Sequence, residues 1–232
     1  MKIFRTIFVL AIAITVIGCE NEMDNYDSPN GGIRGRILDA ETGEQIPQAV
    51  PGSGGSIINL MELNTNATKT VDFYAKADGT FENSKVFNCN YHIKVNGPFV
   101  EPCEGDININ GQTTVDMHAT PYSRIETNVS VTGHKVIIKY KVTPTNANFT
   151  VSEVYGYWNF APGVDNSSAN YSGKQTQRNT KEGSFEFNLD DQSAYTSNLF
   201  KIKANGNKLY FRVGSNINGN INYSTISEVV VN

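Results

Sequence analysis

Aromatic and amide side chains gather in one stretch of the second half of the chain, and together they are suited to binding sugars. Sugars stack their apolar C–H faces on aromatic rings, while amide and carboxylate groups meet the hydroxyls. On a middle strand, alternation places Tyr155, Tyr157 and Asn159 on the face opposite Trp158. We therefore predict a glycan-binding surface of Tyr155, Tyr157, Asn159 and Tyr171, with Trp158 in the core. If neighbouring strands cover that face, these tyrosines are structural instead.

Paired carboxylates are a second candidate for chemistry, because glycoside hydrolases use two of them. The candidates are Asp72, Glu153, Glu186 and the adjacent Asp190 and Asp191. The adjacent pair lies in a turn-like run, where Asp is favoured for local hydrogen bonds. Two carboxylates could also contribute to a Ca²⁺ site, but the run lacks a complete set of ligands. The carboxylates therefore predict neither catalysis nor a metal site.

The sequence lacks the common catalytic and metal-binding motifs. Its three histidines, His92, His118 and His134, lie far apart, and no H-E-x-x-H, C-x-x-C or G-x-S-x-G occurs. The glycine-rich residues 52–55 lack the Lys and the helix of a phosphate loop, so they predict a flexible loop. We predict that the protein is not an enzyme and needs no cofactor.

The N-terminus predicts export and lipidation. A basic segment with Lys2 and Arg5 precedes an apolar run over residues 6–17 that is short for a membrane span. The run ends in Val16-Ile17-Gly18-Cys19, which resembles the lipobox of bacterial lipoproteins. That resemblance implies a signal peptide over residues 1–18 and an acylated Cys19 that anchors the chain to a membrane.

Residues 19–30 form an acidic stretch with little to bury, which predicts a flexible tether. Acidic residues directly after a lipidated Cys resemble the surface-export signal of Bacteroidetes lipoproteins and imply the outer face of the outer membrane. The alternative is a merely solvated linker. Loss of Lys2 and Arg5 from 19 basic residues leaves 17 against 23 acidic ones, a net charge of −6, so we expect no nucleic-acid partner.

Two cysteines remain besides Cys19. Asn96-Gly97, a hairpin turn signal, lies between Cys89 and Cys103 and predicts that the two lie nearly opposite each other. A disulfide there would contribute roughly 2–3 kcal/mol. The alternative is two free thiols, and we favour the disulfide because the protein is predicted to leave the cytoplasm.

Short runs of alternating apolar and polar residues between turn signals predict an all-β protein, while helical periodicity is almost absent. We expect two antiparallel β-sandwich domains in tandem after the signal peptide and tether, over residues 31–120 and 121–232. The runs cover residues 33–38, 57–63, 70–75, 91–95, 113–119, 136–142, 151–157, 184–189, 208–213 and 226–231.

The first domain resembles the carboxypeptidase-regulatory-like domain, a transthyretin-type sandwich of seven strands. The resemblance rests on turn formers and core residues, with an Asp78-Gly79 turn before Phe81, and Asn90-Tyr91 stands where that family has G-x-Y. The remaining matches are Gly35, Ile37, Asp39, Thr42, Gly43, Ile46 and Ala49. These residues are architectural in that family and imply no catalysis.

The second domain ends in an aromatic strand with Arg212-Val213, a polar loop and a β-branched terminal strand, which resembles the end of an immunoglobulin or fibronectin-type sandwich. The lipobox, the tether and both domains together resemble an uncharacterised two-domain Bacteroidetes lipoprotein family encoded beside SusC/SusD-type glycan uptake systems. That resemblance implies a non-catalytic surface lipoprotein that helps to bind and take up polysaccharide or oligosaccharide, with a SusC/SusD-type complex as partner. The alternative is a structural or adhesive envelope protein that binds a protein partner rather than a sugar.

Overall fold

The computed structural model describes residues 27–231 of the chain and shows two tandem all-β domains. The predicted signal peptide over residues 1–18, Cys19 and most of the predicted tether lie outside the described residues. Within residues 27–231, no helix combines the length and the apolar character that a membrane crossing requires.

The N-terminal domain packs a three-stranded sheet, in the order β4-β1-β7, against a four-stranded sheet, in the order β3-β2-β5-β6. Among the described strands of both domains, only β1 and β7 pair in parallel, and the other pairings are antiparallel. The strands are β1 (Gly31–Asp39), β2 (Ile57–Glu62), β3 (Val71–Tyr74), β4 (Thr80–Val86), β5 (Asn90–Asn96), β6 (Cys103–Asn108) and β7 (Gln112–Ala119).

Alternating residues of both sheets form the core of this domain. Ile33 and Ile37 on β1 are fully buried, and Phe81 is buried as its position after the Asp78-Gly79 turn predicts. Gly35 must be glycine, because a Cβ atom there would lie 1.7 Å from the carbonyl oxygen of Val115 on β7. The close approach of β1 to β7 therefore depends on this residue.

The C-terminal domain packs a sheet in the order β12-β9-β8 against a sheet in the order β11-β10-β13-β14, in which β15 also pairs with β13. Three short helical segments, a 3₁₀ turn (Leu189–Asp191), α1 (Ser193–Thr196) and α2 (Leu199–Ala204), connect β12 to β13. The strands are β8 (Ser123–Thr132), β9 (Lys135–Pro144), β10 (Glu153–Asn159), β11 (Gly173–Arg178), β12 (Glu182–Asn188), β13 (Lys208–Ile217), β14 (Asn220–Tyr223) and β15 (Ser227–Val230).

Alternation along β10 divides its side chains between two environments. Val154 and Trp158 are fully buried between the two sheets of the domain, which confirms the prediction that Trp158 is a core residue. Gly156 lies on the same face, where a Cβ atom would come within 2.5 Å of the Phe185 ring. Tyr155 and Tyr157 lie on the opposite face, which is directed toward the N-terminal domain.

Candidate functional site at the domain junction

The face that carries Tyr155 and Tyr157 is covered, so the prediction that these rings are exposed is wrong. Tyr155 is 6% exposed and Tyr157 is 0% exposed. They form an apolar cluster with Val164, Tyr223 and Ala49 of the N-terminal domain. The covering residues come from the loop after β10, from the neighbouring strand β14 and from the other domain. Both tyrosines are therefore structural.

Tyr171 and Lys174 close the remaining side of this cluster. The Tyr171 ring centroid lies 5.9 Å from that of Tyr157, and Tyr171 is only half-buried. The Lys174 ammonium lies 4.2 Å from the Tyr155 ring centroid and donates a 2.7 Å hydrogen bond to Asn166. Burial lowers the pKa of Lys174. The ring face that a sugar would stack on is thus occupied by the protein's own cation.

Asn159 is also committed to the fold. Its amide nitrogen donates to the Gly163 carbonyl at 3.2 Å, and its amide oxygen accepts from the Phe160 amide and the Ser172 hydroxyl, both at 2.9 Å. The side chain therefore fixes the loop that covers the tyrosines. The structure brings the four predicted residues into one region, but as part of the packing between domains.

A buried arginine joins the two domains. Arg212 on β13 is 1% exposed, and its guanidinium donates to the carbonyls of Ser224 at 2.8 Å, Val164 at 3.0 Å and Ala77 at 3.3 Å. Ala77 belongs to the N-terminal domain. The guanidinium carbon also lies 4.6 Å from the Tyr223 ring centroid. Burial lowers the pKa of Arg212 to about 10, so the side chain stays charged at neutral pH.

A buried carboxylate makes a second connection. Asp165 is fully buried and accepts from the backbone amide of Val50 at 2.8 Å, across the domain junction. It also accepts from the Ser167 amide at 2.8 Å and from the Asn170 side chain at 3.0 Å. Asn170 in turn donates to the hydroxyl of Ser53 in the N-terminal domain at 2.9 Å. Several satisfied polar groups therefore hold the domains in one arrangement.

This arrangement leaves a groove of about 630 Å³ between the domains, here called the junction groove. Its size lies in the range typical of small-ligand sites, and domain junctions are a common location for such sites. Polar and apolar side chains share its walls. The lining residues are Asp39, Thr42, Glu44, Gln45, Ile46 and Pro47 of the N-terminal domain, and Pro121, Ser123, Arg124, Ile125, Glu126, Thr127, Asn222, Tyr223, Ser224 and Thr225 of the C-terminal domain.

An ion pair crosses the junction groove. Arg124 donates two hydrogen bonds to Asp39, at 2.6 and 2.9 Å, and one to Glu41 at 2.7 Å. Burial is the largest single influence on Asp39 and favours its neutral form. The hydrogen bonds and charge of Arg124, together with the backbone amides of Glu41 and Thr42, more than offset it and hold the pKa of that carboxyl below its ordinary value. The same hydrogen bond to Asp39 raises the pKa of Arg124. The bidentate geometry fixes the distance between the two walls.

One buried polar group of the groove has no partner within the described part of the chain. The Ser123 hydroxyl is buried, and Ser123 is 3% exposed, yet its oxygen makes no hydrogen bond. The Ser123 backbone amide, in contrast, donates to Asn222 at 3.0 Å. Buried hydroxyls without a partner are costly, so this oxygen is suited to accepting or donating a bond to a guest in the groove.

A smaller cleft of about 350 Å³ also lies at the junction. It shares Tyr223 with the junction groove and is lined mostly by glycines and small polar residues. Those residues are Ser53, Gly54, Gly97, Pro98, Asn166, Ser167, Gly219, Asn220 and Ile221. Asn166 is already engaged by Lys174 and Tyr157, so the junction groove offers the larger number of uncommitted groups.

The predicted disulfide is absent: Cys89 and Cys103 are both free and half-buried. The connection between β5 and β6 spans residues 97–102 and is much longer than a two-residue turn, so Cys103 pairs with Val95. The Cys89 carbonyl instead accepts from the Ile109 amide at 2.9 Å. The two cysteines are therefore about six residues apart along the hairpin, or roughly 20 Å. Burial raises the pKa of the Cys103 thiol to about 11.

The five candidate carboxylates are held by separate local partners. Glu186 pairs with Lys135 at 2.6 Å, and Asp190 contacts His134 at 2.8 Å. The other three bind local side chains: Asp72 accepts from Asn59, Glu153 from Tyr155 and Arg178, and Asp191 from Asn188. Among residues 27–231, no three His, Cys, Asp or Glu side chains are grouped so as to hold a metal ion.

The residues that shape the junction groove are not evident from the sequence. Asp39 was predicted only as a turn former, and Arg212 only as part of a terminal strand motif. An arginine between apolar and aromatic residues, Tyr210-Phe211-Arg212-Val213, is the available signal, because a charged residue inside such a strand needs buried partners. Its partners on another domain are not readable from local periodicity.

Comparison with known proteins identifies the family of this chain. Residues 31–120 match the model of the N-terminal domain of DUF3823, a family of proteins of unknown function. Residues 122–228 match the model of DUF3823_C, a domain of unknown function. No functionally curated protein matches. A DUF3823 family protein from Parabacteroides merdae has 23% identity and a TM-score of 0.73, with 88% of this chain and 100% of that chain covered.

Two crystal structures from Bacteroides uniformis are similar, each with 88% of this chain and 100% of that chain covered. One is a DUF3823 family protein, with 21% identity and a TM-score of 0.70. The other, with 20% identity and a TM-score of 0.69, is provisionally described as a carbohydrate-binding protein. At these identities the structures show a shared fold. Because the two family models together span most of the sequence, the chain belongs to the DUF3823 family.

Proposed function

We propose that this protein is a non-catalytic, glycan-binding lipoprotein of the cell surface, and that its glycan binds in the junction groove. The observation that carries the proposal is the groove itself, a preformed cleft of about 630 Å³ with mixed polar and apolar walls. Sugars present hydroxyl groups and apolar C–H faces together, so a binding site needs both kinds of surface. The provisional description of one Bacteroides uniformis relative as carbohydrate-binding supports the same ligand class.

The groove replaces the tyrosine surface as the proposed site. Thr225, Glu44 and Glu126 are exposed at its walls, and the partly exposed Pro47 and Ile125 supply apolar surface. The cross-domain bonds of Arg212 and Asp165 keep both walls in place before binding, which lowers the entropic cost of capture. Such a site needs no catalytic group to hold a sugar.

The cellular setting of the proposal rests on the sequence. Lipidation of Cys19 would anchor the protein, and the acidic stretch after it would place the body outside the outer membrane. A SusC/SusD-type uptake complex would then be the neighbour that receives the captured glycan. Globomycin treatment of producing cells tests the lipidation of Cys19. The treatment should leave an uncleaved precursor, and a Cys19→Ser variant should give the same precursor.

The direct test is affinity electrophoresis of the chain from Asp27 onward, which contains both hydrophobic cores, through gels with a broad panel of polysaccharides. Retention by one polysaccharide class is the expected result. Thr225→Arg should abolish that retention, because a long side chain would fill the groove from an exposed position. Thr176→Arg is the matched control, since Thr176 is exposed on β11 and does not line the groove.

Two outcomes would contradict the proposal. Wild-type retention by the Thr225→Arg variant would place the sugar elsewhere on the protein. Absence of retention throughout the panel, together with a stoichiometric protein partner after mild crosslinking of cells, would favour the structural or adhesive alternative.

A further inference from the structure

We infer that the junction groove selects uncharged glycans and rejects those that carry carboxylate or sulfate groups. The inference rests on the proposed function and adds the ligand class. Its basis is the charge of the walls: three carboxylates, Asp39, Glu44 and Glu126, line the groove against a single basic residue, Arg124. Lys141 lies beside Glu126 in register on β9, but it is not among the lining residues.

The single cation is not available to an anionic ligand. Arg124 directs one nitrogen to Asp39 and another to both Asp39 and Glu41. Two carboxylates therefore neutralise the positive charge of the Arg124 guanidinium. One of them, Asp39, has a side chain that is only 5% exposed. A uronate or sulfate would have to displace a buried, bidentate partner to reach Arg124, which costs far more than the new contact would return.

The remaining charges repel an anion. Glu44 and Glu126 are exposed on opposite domains and form no ion pair within the described residues. Both line the groove, one from each domain, so an anionic sugar there would meet a negative charge on each wall. Neutral hydroxyls, in contrast, can donate hydrogen bonds to both carboxylates.

The unpartnered hydroxyl of Ser123 is the second observation that indicates a ligand. Ser123 precedes Arg124 in the groove lining, its backbone amide donates to Asn222, and its hydroxyl oxygen is buried. A hydroxyl or a ring oxygen of a neutral sugar would satisfy this group, because a serine hydroxyl both donates and accepts. No charged partner is needed there.

The test compares polymers that share a backbone and differ in charge: hydroxyethylcellulose with carboxymethylcellulose, dextran with dextran sulfate, and methyl-esterified pectin with polygalacturonate. For any pair whose neutral member is retained, we expect the anionic member to bind at least about tenfold more weakly at low salt. The difference in affinity should shrink when 0.5 M NaCl is added, because charges are then screened over about 4–5 Å.

The variant Glu44→Gln/Glu126→Gln should lower the ratio of neutral to anionic affinity toward one. The control Glu82→Gln/Glu101→Gln removes two carboxylates outside the groove lining and should keep the wild-type ratio. Wild-type protein that binds an anionic polymer as well as its neutral partner would overturn this inference and leave glycan binding intact. Absence of retention by every glycan of the broad panel would overturn both.

Discussion

Removal of the buried Arg212 guanidinium should strongly destabilise the protein. In Arg212→Met, the carbonyls of Ser224, Val164 and Ala77 lose donors at 2.8, 3.0 and 3.3 Å, and Ser224 and Val164 are buried at the junction. Hydrogen bonds that involve a charged group contribute about 1.5–3 kcal/mol each. The Met variant no longer has to bury a charged guanidinium, and the free energy saved in this way offsets part of that sum. We expect the free energy of unfolding to fall by about 3–5 kcal/mol.

Urea denaturation monitored by tryptophan fluorescence gives this free energy, because the single Trp158 is buried in the C-terminal core. Arg178→Met is the matched control: that guanidinium pairs with Glu153 at 3.1 Å but its side chain is 76% exposed, so its loss should cost at most about 1 kcal/mol. Equal destabilisation by the two substitutions, or a loss below about 1 kcal/mol in Arg212→Met, would refute the role of Arg212 at the junction.

Three further predictions follow from the same contacts. Asp39→Asn should lower the free energy of unfolding by about 2 kcal/mol at pH 7. Because the pKa of Asp39 is lowered in the fold, this difference should start to shrink as the pH falls below about 4 and continue to shrink through the lowered pKa, and a difference that stays constant from pH 7 down to pH 2 would contradict it. Tyr157→Ala should cost about 3–5 kcal/mol in the same denaturation assay, whereas an unchanged midpoint would show that its ring is not packed. Alkylation of the denatured, unreduced chain from Asp27 onward should label both Cys89 and Cys103 by mass spectrometry, and an unlabelled, cross-linked species would contradict the separation of the two thiols.

The all-β architecture was predictable because a strand with one buried face has a recognisable pattern in its own local sequence. Alternation with period two marks a strand wherever one face is buried, and it correctly placed Trp158 and Phe81 in the cores. Strands β6, β8, β11 and β14 were not predicted. Three of them are short, and β6, β8 and β11 lie at sheet edges with only one strand partner each. The apolar alternation that burial on one face produces is weak in the short strands.

Contacts between the domains were not predictable, because they depend on residues far apart in sequence. Alternation correctly separated Tyr155 and Tyr157 from Trp158, but it could not show that Ala49 and the loop near Val164 cover them. The error on the cysteines has a different physical cause. Asn-Gly was interpreted as a tight turn, whereas the chain continues through a longer loop before it pairs again, and each extra loop residue shifts the register.

The location of the bound glycan tests the central proposal most directly. We would determine a crystal structure of the chain from Asp27 onward with an oligosaccharide of the class that affinity electrophoresis identifies. We expect a neutral sugar in the junction groove, in contact with Thr225, Glu44 and Ser123, with the cross-domain bonds of Arg212 and Asp165 intact. A sugar bound at another surface, with an empty groove, would contradict it.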